Sequence, residues 1–87
     1  MSLDPRVQQD VLRLLDEVLG LAGRAQRFTP ETPLLGALPE LDSMAVVGLL
    51  TALEERFGLS IADDEIEASL FADVGAFTRF VQDKLAA

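Results

Sequence analysis

The residues best placed to do chemistry in this sequence lie in the segment Glu40-Leu41-Asp42-Ser43-Met44. Ser43 stands where a stretch with helical periodicity begins, and a hydroxyl at the N-terminus of a helix is exposed to an enzyme that could modify it. Asp and Ser are also standard helix caps, because their side-chain oxygens accept hydrogen bonds from free backbone N–H groups. Taken alone, the segment therefore favours a plain helix cap, with a modified serine as the alternative.

The composition excludes several kinds of active site. The chain has no Cys, which removes disulfides, thiolate catalysis and zinc–thiolate sites, and no His, the commonest general base and metal ligand. The one acidic cluster, Asp63-Asp64-Glu65-Glu67, lacks the alternating ligands and central Gly of a calcium loop. We predict no catalytic and no metal-binding residues, and a small carboxylate enzyme or a calcium binder is the alternative.

The charge of the chain points to the kind of partner it meets. The net charge is −8, so nucleic acid and anionic membranes are poor partners, and proteins with basic surfaces are favoured. Residues 42–87 hold nine acids and three bases, against six and four in residues 1–41. On composition alone, ordinary solubility is the preferred explanation of this charge.

The 87 residues predict a single domain spanning 1–87. No stretch approaches the roughly 20 apolar residues of a membrane span. Met1-Ser2-Leu3-Asp4-Pro5 lacks the basic and apolar regions of a signal peptide. We therefore expect a cytoplasmic monomer.

Two amphipathic helices are predicted before residue 58. Asp4-Pro5 is typical of a helix start, and glycines end this first helix at about Gly20–Gly23. A second helix begins at Asp42 or Ser43 and runs to about Phe57. Its buried stripe is predicted to be Val46, Leu49, Leu50, Leu53 and Phe57.

The rest of the chain predicts a long connection and two further helices. Prolines break residues 24–41, which we expect to be ordered by Phe28, Leu34, Leu35 and Leu38. Ile61 is predicted to plug into the core, and a brief helix is expected after it, over Asp63–Ser69. Asp73 then caps a last helix whose inner face comprises Val74, Phe77, Val81 and Leu85. The fold class is therefore all-α, a bundle of three longer helices and one short helix.

The motif and this layout together resemble the acyl carrier protein family. In that family the Ser of an Asp-Ser-Leu or Asp-Ser-Met motif carries 4′-phosphopantetheine, and Leu41-Asp42-Ser43-Met44 matches it. The match continues through Ala52-Leu53-Glu54-Glu55-Arg56-Phe57-Gly58 and the order of elements across nearly the whole chain. A helix cap explains one residue, whereas the resemblance also explains the layout.

The resemblance implies a carrier and not an enzyme. A phosphopantetheinyl transferase would move the arm from coenzyme A to Ser43, and acyl or aminoacyl cargo would be held as a thioester. Partners would be that transferase, a loading ligase, and transferases or synthases with basic docking surfaces, as in fatty acid or polyketide biosynthesis. The resemblance also implies that partners dock on the second helix, and the candidate contacts are Asp42, Met44, Val47, Glu54 and Glu55.

Two positions depart from the fatty-acid type of carrier. Ala45 and Gly48 stand where that type usually has acids, while Val47-Gly48-Leu49-Leu50 also looks like aminoacyl carriers such as the D-alanyl carriers of cell-wall modification. We therefore expect a discrete carrier of a specialised pathway. The alternative is an unmodified helical interaction module, with Ser43 as a cap and Met44 and Val47 as the binding patch.

Overall fold

Three α-helices and three 3₁₀ turns make up the protein in a computed structural model, which describes residues 3–86. The helices are α1 (Pro5–Leu19), α2 (Ser43–Phe57) and α3 (Val74–Ala86). The 3₁₀ turns span Arg24–Arg27, Asp63–Glu65 and Ala68–Phe71. Within residues 3–86, β-type pairing is confined to an isolated bridge between Pro33 and Asp73. The predicted all-α class is confirmed.

Local chemistry sets both ends of α1. The Asp4 side chain accepts a 2.9 Å hydrogen bond from the Arg6 N–H, and Pro5 occupies the first turn. Gly20 ends the helix in the left-handed conformation at φ 65°, which a residue with a Cβ adopts only at a cost. Both predicted boundaries are confirmed.

The connection between α1 and α2 is ordered by buried side chains and by backbone bonds to distant residues. Leu34 is fully buried, and its backbone N–H bonds to the Ala72 carbonyl at 3.2 Å. Phe28 and Leu38 are half-buried and pack on the core. Leu35 was expected to do the same, but it is 44% exposed, because only one of the two adjacent leucines reaches the core.

The segment between α2 and α3 differs in detail from the prediction. The expected brief helix over residues 63–69 is two separate 3₁₀ turns, because Ile66 and Glu67 between them have extended backbones. Ile61 is half-buried and packs against the core, as expected of a plug. The Lys84 ammonium lies 2.9 Å from the Glu65 carboxylate and ties this segment to α3.

Leucines dominate the core, and α1 packs against both other helices. Val74, Phe77 and Val81 are fully buried on α3, as predicted, and Asp73 caps that helix by accepting a 2.8 Å bond from the Ala76 N–H. Leu85 was placed on the same inner face, but it is 45% exposed because it lies in the last turn, beyond the buried stripe. Across residues 3–86, no helix has the length and apolar character needed to cross a bilayer.

Candidate functional site

The N-terminus of α2 is held by Asp42. Its backbone is extended, and its carboxylate accepts a 2.8 Å hydrogen bond from the Ala45 N–H, so Asp42 is the helix cap. Its carbonyl accepts the first bond of the helix, from Val46 at 3.0 Å. The preceding residue, Leu41, is buried in the core and fixes where the helix begins. The sequence alone does not decide whether Asp42 or Ser43 caps α2, and the structure shows that Asp42 does.

Ser43 is the first residue of α2, and it is exposed. Among the residues that the structure describes, its hydroxyl has no hydrogen-bond partner. The backbone N–H groups of Ser43 and Met44 are likewise free of partners in this part of the chain. An accessible oxygen therefore stands beside two unused donors at the positive end of a helix dipole, which favours an anion.

An ion pair that the sequence reasoning missed lies in the connection that leads to this site. The Arg24 guanidinium binds the Glu40 carboxylate, and its Nε also donates to the Leu21 carbonyl at 3.1 Å. Hydrogen bonds from Arg24 and, next, from its own backbone N–H hold the pKa of Glu40 below its ordinary value. The pair joins the first 3₁₀ turn to the chain just before Asp42. Two opposite charges 16 residues apart in an irregular connection carry no periodic signal that could have revealed it.

The outer face of α2 begins beside Ser43 with two exposed apolar side chains. Met44 is 77% exposed and Val47 is 61% exposed, and their spacing of three residues places them on one face. Gly48, Thr51 and Glu55 continue this exposed face. Asp42, Ser43, Met44 and Val47 are therefore brought together, as the sequence predicted.

The two candidate acids of α2 have different surroundings. They lie roughly 17 Å from Ser43 along the helix axis, since each residue of a helix adds about 1.5 Å. Glu55 is exposed. Glu54 is half-buried, and its carboxylate accepts a 2.8 Å hydrogen bond from the Ile61 N–H. Glu54 therefore bonds to the backbone of its own chain, a structural role that the sequence reasoning did not identify.

A shallow groove of about 230 Å³ runs between α2 and the second 3₁₀ turn. Its walls are formed by Val47, Leu50, Thr51, Glu54, Ile61, Asp63 and Ile66. Of the acidic cluster at residues 63–67, Asp63 lines this groove, and Glu65 is bound to Lys84. In the described part of the chain, no three acidic side chains converge as a metal site would require.

Comparisons with known proteins agree with this fold. The family model described as "Phosphopantetheine attachment site" matches residues 9–81. The acyl carrier proteins of Helicobacter pylori strains G27 and HPAG1 are each 33% identical over 75 residues, covering 86% of this chain and 90% of theirs. The solution NMR structure of a holo acyl carrier protein from Nitrosomonas europaea superposes with a TM-score of 0.88. It is 44% identical, and the match covers 97% of this chain and 100% of that one.

The fold is a bundle of three helices with an exposed serine at the start of the second. The chain belongs to the phosphopantetheine-attachment family of acyl carrier proteins. Its members are carriers and not enzymes, and their covalently attached cofactor is 4′-phosphopantetheine. The family, the fold class and the cofactor expected from the resemblance are confirmed.

Proposed function

We propose that 4′-phosphopantetheine is attached to the Ser43 hydroxyl and that the chain presents acyl or aminoacyl thioesters to partner enzymes. One observation carries the proposal: Ser43 is exposed at the first residue of α2, while the capping bond is made by its neighbour Asp42. A serine that served as the cap would have its oxygen directed at the helix backbone. This one is available to be esterified.

The surroundings of Ser43 fit a phosphodiester. The N–H groups of Ser43 and Met44 have no partner among residues 3–86, and the dipole of α2 adds positive potential at the same point. The carboxylate of the adjacent residue, Asp42, accepts a hydrogen bond from the Ala45 N–H. The phosphate of the arm would therefore meet unused donors, beside a carboxylate that is bonded to the helix backbone.

The arm supplies a terminal thiol on which cargo is held as a thioester. The chain's own residues position the arm, and partner enzymes recognise them. Asp42 fixes the first turn of α2, so the Ser43 oxygen keeps a defined position for a transferase. Met44 and Val47 offer exposed apolar contact beside it, and Glu55 offers a solvent-exposed charge further along. Glu54 adds charge to this end of α2 while its carboxylate binds Ile61.

The partners proposed on this basis are a phosphopantetheinyl transferase, a ligase that loads acyl or aminoacyl groups, and transferases or synthases with basic docking surfaces. The pathway is proposed to be a specialised one, carried out in the cytoplasm. Ala45 and Gly48 leave the face of α2 near Ser43 uncharged, which does not suit enzymes that read acids at those positions. Identifying the group bound to the thiol in the native cell tests this part of the proposal.

Mass spectrometry tests the attachment site. The unsubstituted chain and a Ser43→Ala variant are each incubated with a broad-specificity phosphopantetheinyl transferase and coenzyme A. We expect the mass of one arm to be added to the unsubstituted chain and none to Ser43→Ala. Ser60→Ala, at an exposed serine in the link after α2, is the control and should still gain the arm.

The exposed pair Met44 and Val47 also supports a second candidate, an unmodified helical interaction module. The same experiment separates the two. If the transferase modifies a known carrier but leaves this chain unchanged, the module is favoured. A mass gain that persists in Ser43→Ala would place the arm elsewhere and contradict the proposed site.

A further inference from the structure

The start of the connection between α1 and α2 is fastened to α1 by the Asp16 carboxylate. One of its oxygens accepts a hydrogen bond from the Gly23 N–H at 3.0 Å, and the other accepts one from the Ala25 N–H at 3.1 Å. These two donors flank Arg24 in the sequence, and Ala25 is fully buried. The backbone of Arg24 therefore has a fixed position relative to α1.

The Arg24 side chain connects this fixed point to the segment just before α2. Its Nε donates to the Leu21 carbonyl, which orients the guanidinium, and the guanidinium binds Glu40. Both members of the pair are partly exposed, so the pair adds little to the free energy of unfolding of the whole protein. We expect its larger effect to be local, because it holds the chain three residues before Ser43.

The first turns of α2 have few buried contacts of their own. Ser43 and Met44 are exposed, the next four side chains are half-buried or exposed, and Leu49 is the first fully buried side chain of the helix. Helix ends with few buried contacts open readily. The turn that bears Ser43 therefore depends on the residues that precede it, which are the buried Leu41 and the paired Glu40.

We propose that Arg24 and Glu40 are positioning residues for attachment of the arm. Their ion pair keeps the Asp42 cap bonded to the Ala45 N–H, and so keeps the Ser43 oxygen where the transferase meets it. Without the pair, that bond is broken and the first turn is open in a larger fraction of molecules. Only closed molecules bind productively, so the apparent affinity falls with the closed fraction. This inference rests on the proposed function, because it assumes that Ser43 receives the arm.

Steady-state arm transfer by a phosphopantetheinyl transferase tests the positioning role. Arg24→Met and Glu40→Met remove the two charges and keep unbranched side chains. We expect each to raise the KM for the carrier about threefold or more with kcat unchanged, because a saturating carrier concentration still fills the enzyme with closed molecules. The combined variant should be no worse than either single one, since the two residues act as one pair. Arg24→Lys, which keeps a cation, should restore part of the affinity.

A matched control is available at the other end of α2. Arg56 forms a partly exposed ion pair with Glu17 on α1, at 2.8 Å. Arg56→Met changes the net charge exactly as Arg24→Met does, and its KM should stay within about twofold of the unsubstituted value. Arg24→Met and Glu40→Met change the net charge in opposite directions, so a KM increase that they share cannot come from overall charge.

Amide hydrogen exchange followed by NMR measures the opening itself, on the protein without its arm. The Ala45 and Val46 N–H groups bond to the Asp42 carboxylate and carbonyl, so they report on the first turn of α2. Both should exchange at least about threefold faster in Arg24→Met than in the unsubstituted chain or in Arg56→Met. Exchange within α3 should be the same in all three proteins, which shows that the change is local.

Three results would overturn the inference and leave the attachment site intact. They are KM values no higher than that of Arg56→Met, unchanged exchange at Ala45 and Val46, and additive effects of the Arg24 and Glu40 substitutions. Additive effects would mean that the transferase contacts each side chain separately. If the unsubstituted chain accepts no arm, the proposed function itself fails, and the positioning role fails with it.

Discussion

The carboxylate of Glu54 accepts a 2.8 Å hydrogen bond from the backbone N–H of Ile61. The bond connects the last turns of α2 to the link that follows the helix, and Ile61 packs against the core. Because the acceptor is ionised and half-buried, this bond is stronger than one between neutral groups. Glu54 therefore stabilises the segment that forms the far wall of the groove.

Replacing Glu54 should lower the stability of the protein, whereas replacing its neighbour should not. We expect Glu54→Ala to reduce the free energy of unfolding by about 1.5 kcal/mol, as the Ile61 N–H loses a charged acceptor. Glu54→Gln should lose less, since an amide oxygen can still accept. Glu55→Ala, at an exposed position, should stay within about 0.5 kcal/mol. Urea denaturation of the three variants measures this, and equal losses for Glu54→Ala and Glu55→Ala would contradict it.

The hydrogen bonds that the Glu65 carboxylate accepts from Ala62 and Lys84 should make stability depend on acid pH. A hydrogen bond from the Ala62 N–H and, next, one from Lys84 hold the pKa of Glu65 below its ordinary value of about 4.5. The folded state therefore favours the carboxylate. Its stabilisation is complete above that ordinary value and is lost as the pH falls through the lowered one.

The Glu65→Gln variant tests this pH dependence. Unfolding free energies are measured from about pH 7 to about pH 3 for both proteins. We expect the unsubstituted protein to lose more stability than Glu65→Gln across the acid end of the range, because the variant cannot take up that proton. The lowered pKa of Glu40 acts in the same direction and is retained in both. Parallel profiles would show that Glu65 contributes nothing.

Thr78 is a polar residue in the core of α3. It is fully buried, and its hydroxyl has no hydrogen-bond partner among the residues that the structure describes. A buried hydroxyl without a partner costs free energy because it has lost its bonds to water. We expect Thr78→Val, which keeps the shape of the side chain, to raise the free energy of unfolding by about 1 kcal/mol. Thr51→Val, at an exposed position on α2, is the control and should change it little in thermal or urea unfolding.

Two helical glycines should respond in opposite directions to the same substitution. A Cβ on Gly48 would meet only a methyl group of Val18, at 4.0 Å, whereas a Cβ on Gly75 would come within 3.0 Å of the Pro30 carbonyl oxygen. The Gly75 N–H also bonds to that oxygen at 2.8 Å, so the two backbones cannot separate freely. We expect Gly48→Ala to stabilise the protein by about 0.5–1 kcal/mol and Gly75→Ala to destabilise it. A loss of stability in Gly48→Ala would contradict this account.

The sequence predicts the helix boundaries well because they depend on local chemistry. Asp4 with Pro5 starts α1, and left-handed glycines at 20 and 58 end α1 and α2, all within a few residues of the helix they bound. The division of the short helix into two 3₁₀ turns depends on distant contacts. Lys84 binds Glu65, and the Leu35 N–H donates to the Phe71 carbonyl at 2.9 Å. No periodicity in residues 63–69 records those contacts.

In the candidate site, too, the features set by local chemistry could be predicted and those set by distant contacts could not. Ser43 at the start of α2 could be predicted because the motif and the helix periodicity coincide there. The Arg24–Glu40 pair and the engagement of Glu54 by Ile61 could not, because both partners must first be brought together by the fold. The sequence also leaves open which of Asp42 and Ser43 is the cap, since both residue types serve that role.

That choice between Asp42 and Ser43 gives the last prediction, measured on the protein without its arm. The Asp42 carboxylate bonds to the Ala45 N–H, so we expect Asp42→Ala to lower the free energy of unfolding by about 1 kcal/mol. Asp42→Asn, which keeps an accepting oxygen, should retain most of that stability. Ser43→Ala should be close to neutral, because the hydroxyl makes no bond to any described residue. If Ser43→Ala were as unstable as Asp42→Ala in urea, the hydroxyl would be a structural group. The Ser43 oxygen would then not be free to receive the arm, contrary to the proposed attachment site.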